Sequence, residues 1–136
     1  MEMQETFFQL NWLAIIVAAI STFLIGGIWY SLFQKQWMAV NNFTMELLQR
    51  RKLPLVFGLS FIFSFIMAFN LAMFIGAKSG VQFGLIAGFL AGFGWVFFSI
   101  GIISLFEKRS FKYILINGGY MTVAFTVMGA ILGAWH

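Results

Sequence analysis

Four long apolar runs, separated by short stretches in which the polar residues gather, set the pattern of this chain. The runs cover residues 12–33, 53–75, 83–106 and 113–135, and none contains Asp, Glu, Lys, Arg or His. Each is long enough to cross about 30 Å of hydrocarbon at about 1.5 Å per residue. Lipid offers the backbone no hydrogen-bond partner, so such runs must be helical, and no alternation of period two supports strands. The pattern therefore predicts an all-α integral membrane protein, a single domain over 1–136 with four transmembrane helices in a compact antiparallel bundle.

The stretch between the first two runs is the only sizeable one. Within 44–51 it combines good helix formers with Glu46 four residues before Arg50, and Phe43, Leu47 and Leu48 give it an apolar side. Two readings stay open, a short cytoplasmic interfacial helix and a solvated linker with stop-transfer charges. At the other end, residues 1–9 carry Glu2 and Glu5 and no Lys or Arg, and the apolar run that follows exceeds a signal-peptide core. The first run is expected to be a retained helix.

Charge gives the bundle a direction. Of the eight basic residues, Lys35, Arg50, Arg51 and Lys52 lie between runs one and two, Lys108, Arg109 and Lys112 between runs three and four, and only Lys78 on the opposite side. The positive-inside rule places the two basic loops in the cytoplasm and both termini outside it, in the cell (inner) membrane. The net charge of +4 does not make a nucleic-acid surface, because the basic residues are confined to short stretches and form no continuous patch. Composition agrees with lipid as the medium: with 62% hydrophobic residues and 19 phenylalanines in 136 positions, the chain carries more apolar surface than a domain of this size can bury within itself.

Small residues recur at a spacing of four in every run. Run one has Ala14, Ala18, Thr22 and Gly26; run two has Ser60, Ser64, Ala68, Ala72 and Gly76. Run three has Gly84, Gly88 and Gly92, extended back by Gly80; run four has Gly118, Thr122, Thr126, Ala130 and Ala134. Residues four apart share a helical face, and smooth faces let backbones approach closely where the hydrophobic effect cannot drive association. The short turn at 77–82 makes runs two and three a hairpin, and their strips are expected to meet. Asn70 points away from the strip of run two. An amide in hydrocarbon without a partner costs on the order of 2–7 kcal/mol, so a neighbouring helix or a second subunit is expected to cover it.

Aromatic and polar residues gather at the run ends: Asn11, Trp12, Trp135 and His136 at one side, and Trp29, Tyr30, Ser31 and Trp37 with Asn117, Gly118, Gly119 and Tyr120 at the other. Tryptophan and tyrosine at such depths suit an interfacial belt. Trp95 is too deep for the belt and is expected in the packed interior, beside Gly92 and Gly88.

The order of these pieces carries a resemblance. Asn11-Trp12, then Gly27-Ile28-Trp29-Tyr30-Ser31 with Trp37 following, then Phe106-Glu107, Ile116-Asn117-Gly118-Gly119-Tyr120 and Met128-Gly129-Ala130-Ile131-Leu132-Gly133-Ala134-Trp135, resemble the bacterial membrane family DUF1761 over the whole chain. That family commonly has a proline after the Trp-Tyr-Ser step, where Leu32 stands here. The resemblance implies a four-span protein and brings no established activity.

The chain is poor in reactive groups. Cysteine and aspartate are absent, the lone His136 is terminal, and Glu2, Glu5, Glu46 and Glu107 lie outside the runs. Nothing supplies an acid–base pair or converging metal ligands inside the bilayer, so neither an enzyme nor a cofactor is expected. Small four-helix multidrug exporters are similar in size, but their membrane glutamate has no counterpart. Four-helix fluoride channels are similar through Gly88-Phe89-Leu90-Ala91-Gly92, Phe97-Phe98-Ser99 and Asn70, yet they assemble from oppositely inserted copies, against the charge bias here. Two functions remain: a passive channel or transporter for a small solute, formed by a homo-oligomer and lined by Asn70, Asn117, Tyr30, Tyr120, Thr122 and Thr126, or a structural or accessory protein binding lipid or a partner membrane protein.

Overall fold

The computed structural model describes residues 2–76 and 80–135; Lys78 and His136, weighed above, lie outside the described residues, as does the start of the turn after run two. The elements are α1 (Glu2–Phe8), α2 (Trp12–Leu32), α3 (Gln34–Asn41), α4 (Met45–Gln49), α5 (Leu53–Ile75), α6 (Val81–Phe89), a π-helical segment (Leu90–Phe97), α7 (Phe98–Phe106) and α8 (Phe111–Ala134). Four spans follow: span one is α2, span two α5, span three α6 through α7, and span four α8. This is a multi-pass membrane protein with a helical bundle packed as one unit. The two basic loops share one end of the bundle, hereafter the basic end.

Local chemistry sets the boundaries. The Asn11 side chain accepts from the Ala14 N–H at 3.1 Å and starts span one. Ser110 does the same for span four, accepting from the Tyr113 N–H at 3.2 Å. Pro54 opens span two near its first position, where a missing N–H costs nothing, and Gly76 closes it at φ 76°, a conformation that a side chain would disfavour. Although no proline follows the Trp-Tyr-Ser step, the helix still breaks there: Phe33 takes φ −106° and ψ 23° between α2 and α3. The stretch between runs one and two holds a short helix, α4, capped by Thr44 and anchored by buried Leu48. Leu47 and Phe43 are less covered, and α3, unforeseen from the apolar pattern, precedes it.

The core lies where spans one, two and four converge, with Ala14, Ile15, Ala18 and Ala19 against Ala68, Leu71, Ala72 and Ile75, closed by Phe125, Met128 and Leu132. The strips of spans one to three face inward as expected, with Ala14, Ala18, Thr22, Ser64, Ala68, Ala72, Gly84, Gly88 and Gly92 all buried. Their pairing differs from expectation. Spans two and three touch each other little; span two lies mainly on span one, and span three lies mainly on span four. A face of three glycines is matched best by another bare backbone, and Gly129 and Gly133 of span four supply it. A Cβ on Gly84 would strike the Gly129 carbonyl oxygen, and one on Gly129 the Gly84 carbonyl oxygen. Span four's working strip is thus Phe125, Gly129 and Gly133, next to the strip expected: Gly118 is buried, whereas Thr126 and Ala130 are half-buried and Ala134 is exposed.

Trp95 is a second correction. Its side chain is 73% exposed and faces outward. The 90–97 segment is wound as a π-helix, whose wider turn rotates later residues away from positions counted at the α-helical repeat. Phe97 takes the inward place instead and packs on Gly118.

Candidate functional site

Trp29 and Tyr30 of span one and Asn117 and Tyr120 of span four converge at the basic end, between the two helices. Glycine on each helix receives an aromatic ring from the other. From span one, the Trp29 indole lies over Gly119, where an added Cβ would come within 2.9 Å of Cζ2. That bare surface lets Trp29 Nε1 donate to the Ile116 carbonyl at 2.8 Å. From span four, the Tyr120 ring lies over Gly26, where a Cβ would come within 2.9 Å of the hydroxyl, and the hydroxyl donates to the Thr22 carbonyl at 3.0 Å. The two contacts form a reciprocal interlock.

Tyr30 and Asn117 sit between them. The Tyr30 hydroxyl donates to Asn117 Oδ1 at 2.6 Å, and Asn117 Nδ2 donates to the Tyr113 carbonyl one turn earlier at 3.2 Å. Ring contacts extend the cluster outward, Tyr30 to Tyr120 at 5.3 Å, Tyr30 to Trp37 at 5.5 Å and Trp37 to Phe43 at 5.1 Å. Away from water each unmade hydrogen bond would carry the full cost of desolvation, so a closed set of partners keeps these groups in place. Among the described residues, no buried side-chain nitrogen or oxygen lacks a partner.

The remaining candidate groups follow a different rule. Thr122 donates to the Gly118 carbonyl at 2.8 Å and Thr126 to the Thr122 carbonyl at 2.7 Å, each satisfied by its own helix. Asn70 is exposed and donates to the Ile66 carbonyl of its own helix at 3.0 Å. No other helix covers it among the described residues. Its neighbour Phe69 stacks on Trp12, the first residue of span one, so Asn70 lies near the depth of the aromatic belt rather than mid-membrane.

The family-like residues fall into these same places. Trp29, Tyr30, Trp37, Asn117 and Gly119 build the interlock, and Gly129 the backbone contact with span three. Asn11 caps span one, Trp12 stacks on Phe65 and Phe69, and Asn11 and Trp135 line a cavity of about 20 Å³, room for roughly one water. Gly27 meets nothing. The sequence motifs therefore map onto helix contacts. A model of the family described as a protein of unknown function, DUF1761, matches residues 13–133. The chain belongs to the DUF1761 family. No curated protein and no solved structure matches it. In this DUF1761 chain, the motifs at the end of span one and in the first half of span four are the two halves of one interlock.

Sequence reasoning missed the glycines beneath the rings as partners, though Gly26 lies at the spacing of a contact face and Gly119 in the family-like motif. It also missed a groove at the basic end. There the end of α3, with Ala39, Val40 and Asn42, faces the loop of Glu107, Lys108, Arg109 and Ser110 and the first turn of α8 with Lys112, across about 760 Å³ of open space. Arg109 is tied down within it, 3.7 Å from Glu107 and 5.0 Å above the Tyr113 ring. Asn42 and Lys108, on opposite walls, are the two non-glycine residues with left-handed backbones among those described, at φ 56° and 58°. Asparagine tolerates that conformation and lysine does so at a cost.

Proposed function

We propose that this protein is a non-enzymatic accessory component of the cell membrane that works by association, docking lipid or a partner membrane protein at its basic end, which faces the cytoplasm. The observation that carries this reading is the fate of the polar groups. Tyr30, Asn117, Tyr120, Thr122 and Thr126, which a conduit would need along its lumen, are spent on bonds within and between spans one and four. A conduit would require these bonds to be exchanged for solute contacts at every passage. The groove at the basic end keeps an open surface with polar chemistry.

A second reading keeps the passive channel or transporter formed by a homo-oligomer. It is favoured by Asn70, whose amide stands on the outer face of span two with one bond to its own helix. Purified protein in liposomes separates the two. The docking reading expects no flux of small neutral or anionic solutes above protein-free vesicles. Flux that Asn70→Leu abolishes while the helical content is kept would overturn it in favour of the conduit.

A further inference from the structure

The groove carries a specific chemistry. One wall, the loop and the first turn of α8, places Lys108, Arg109 and Lys112 within five residues and against a single acid, Glu107. Arg109 leans on Glu107 and on the Tyr113 ring, and among the described residues no carboxylate pairs with either lysine. Ser110 adds a hydroxyl on the same wall, although that oxygen accepts from the Tyr113 N–H. Lys108 is held at its left-handed φ, where an unstrained helix end would use glycine or asparagine. Residues held in such conformations at a cost concentrate where ligands are clamped.

The surroundings select an amphiphile over a free anion. Phe106 closes span three and Phe111 opens span four, on either side of the cationic turn, and they are 87% and 71% exposed. Both rings belong at the edge of the hydrocarbon, so the site has charge at headgroup level and apolar surface next to it. Basic pockets at the cytoplasmic ends of transmembrane helices suit anionic headgroups in this way.

We infer that the groove between the end of α3 and the loop joining spans three and four binds the phosphate headgroup of an anionic phospholipid, with Lys108 and Lys112 as its cationic contacts and Phe106 and Phe111 beside its acyl chains. The inference rests on the docking reading above and names its ligand.

Titrating the full-length protein in neutral detergent with fluorescently labelled phosphatidic acid, and with phosphatidylcholine carrying the same label, tests it. Phosphatidic acid should bind at least about tenfold tighter. Lys108→Gln and Lys112→Gln should each weaken it about fivefold, Glu107→Gln should strengthen it, and Lys52→Gln, outside the groove, should leave it unchanged. The charge-preserving pair Lys108→Arg and Lys112→Arg should retain binding, which guards against loss through misfolding. Equal affinity for the two lipids, or an equal loss from Lys52→Gln, would overturn the assignment. Displacement of the lipid by inorganic phosphate at equal concentration would overturn it too, since the site would then serve free anions. The liposome flux measurement fails or holds independently, so loss of the headgroup site and loss of the docking reading are separable.

Discussion

Span four is held by its two main partners in opposite ways. Against span three it presents bare backbone: Gly129 and Gly133 lie on Gly80, Gly84 and Gly88, with carbonyl oxygens where side chains would otherwise stand. Against span one it presents notches and rings, with Trp29 over Gly119, Tyr120 over Gly26, and hydrogen bonds at 2.8 and 3.0 Å. Lipid tails are as apolar as leucine, so neither contact gains from the hydrophobic effect. The first relies on dispersion from close approach, the second on steric fit plus directed bonds. The first should therefore be intolerant of any added atom, and the second should lose stability in separable steps.

The largest effect is expected on the glycine face. Gly129→Val should separate spans three and four and remove the folded state, read as loss of the cooperative transition in detergent unfolding; retention of more than half the wild-type stability would mean the two helices can repack. Gly119→Ala comes next. The added methyl displaces the indole and its bond to Ile116, costing about 1–3 kcal/mol by overpacking. Tyr30→Phe removes one interhelical bond and should cost about 0.6 kcal/mol, at most about 1.7, in the same unfolding assay. Asn70→Leu should be smallest, within about 0.5 kcal/mol of wild type, as for a surface position outside these contacts. A large loss there, with a change in oligomeric size on a detergent column, would point to a covered Asn70 and a second subunit.

This ordering also marks what could be read from the sequence. The spans were legible because a charge-free run of this length has one stable form in lipid. The inward faces of spans one to three were legible from their period of four. Which faces touch was not, because Gly84 and Gly88 could be matched by any smooth helix until Gly129 and Gly133 were seen opposite them. Span four offers two adjacent faces that carry small residues, 118 to 134 and Gly129 with Gly133, and periodicity alone does not choose between them. Trp95 was misplaced because the π-helical turn changes the angular repeat without a residue that announces it. At the basic end, polar residues at the helix ends marked out Tyr30 and Asn117, but the groove depends on α3 meeting a loop some 65 residues later, which no local pattern encodes.

The interlock is the centre of this description, and a double-mutant cycle on Trp29 and Gly119 tests it most directly. Gly119→Ala is unfavourable because the indole occupies the space of the new methyl, so removing the indole should remove the penalty. Reversible unfolding should show Gly119→Ala costing about 1–3 kcal/mol in the wild-type background and close to nothing in Trp29→Ala. Equal costs in both backgrounds would contradict it, placing the ring and the glycine in independent roles.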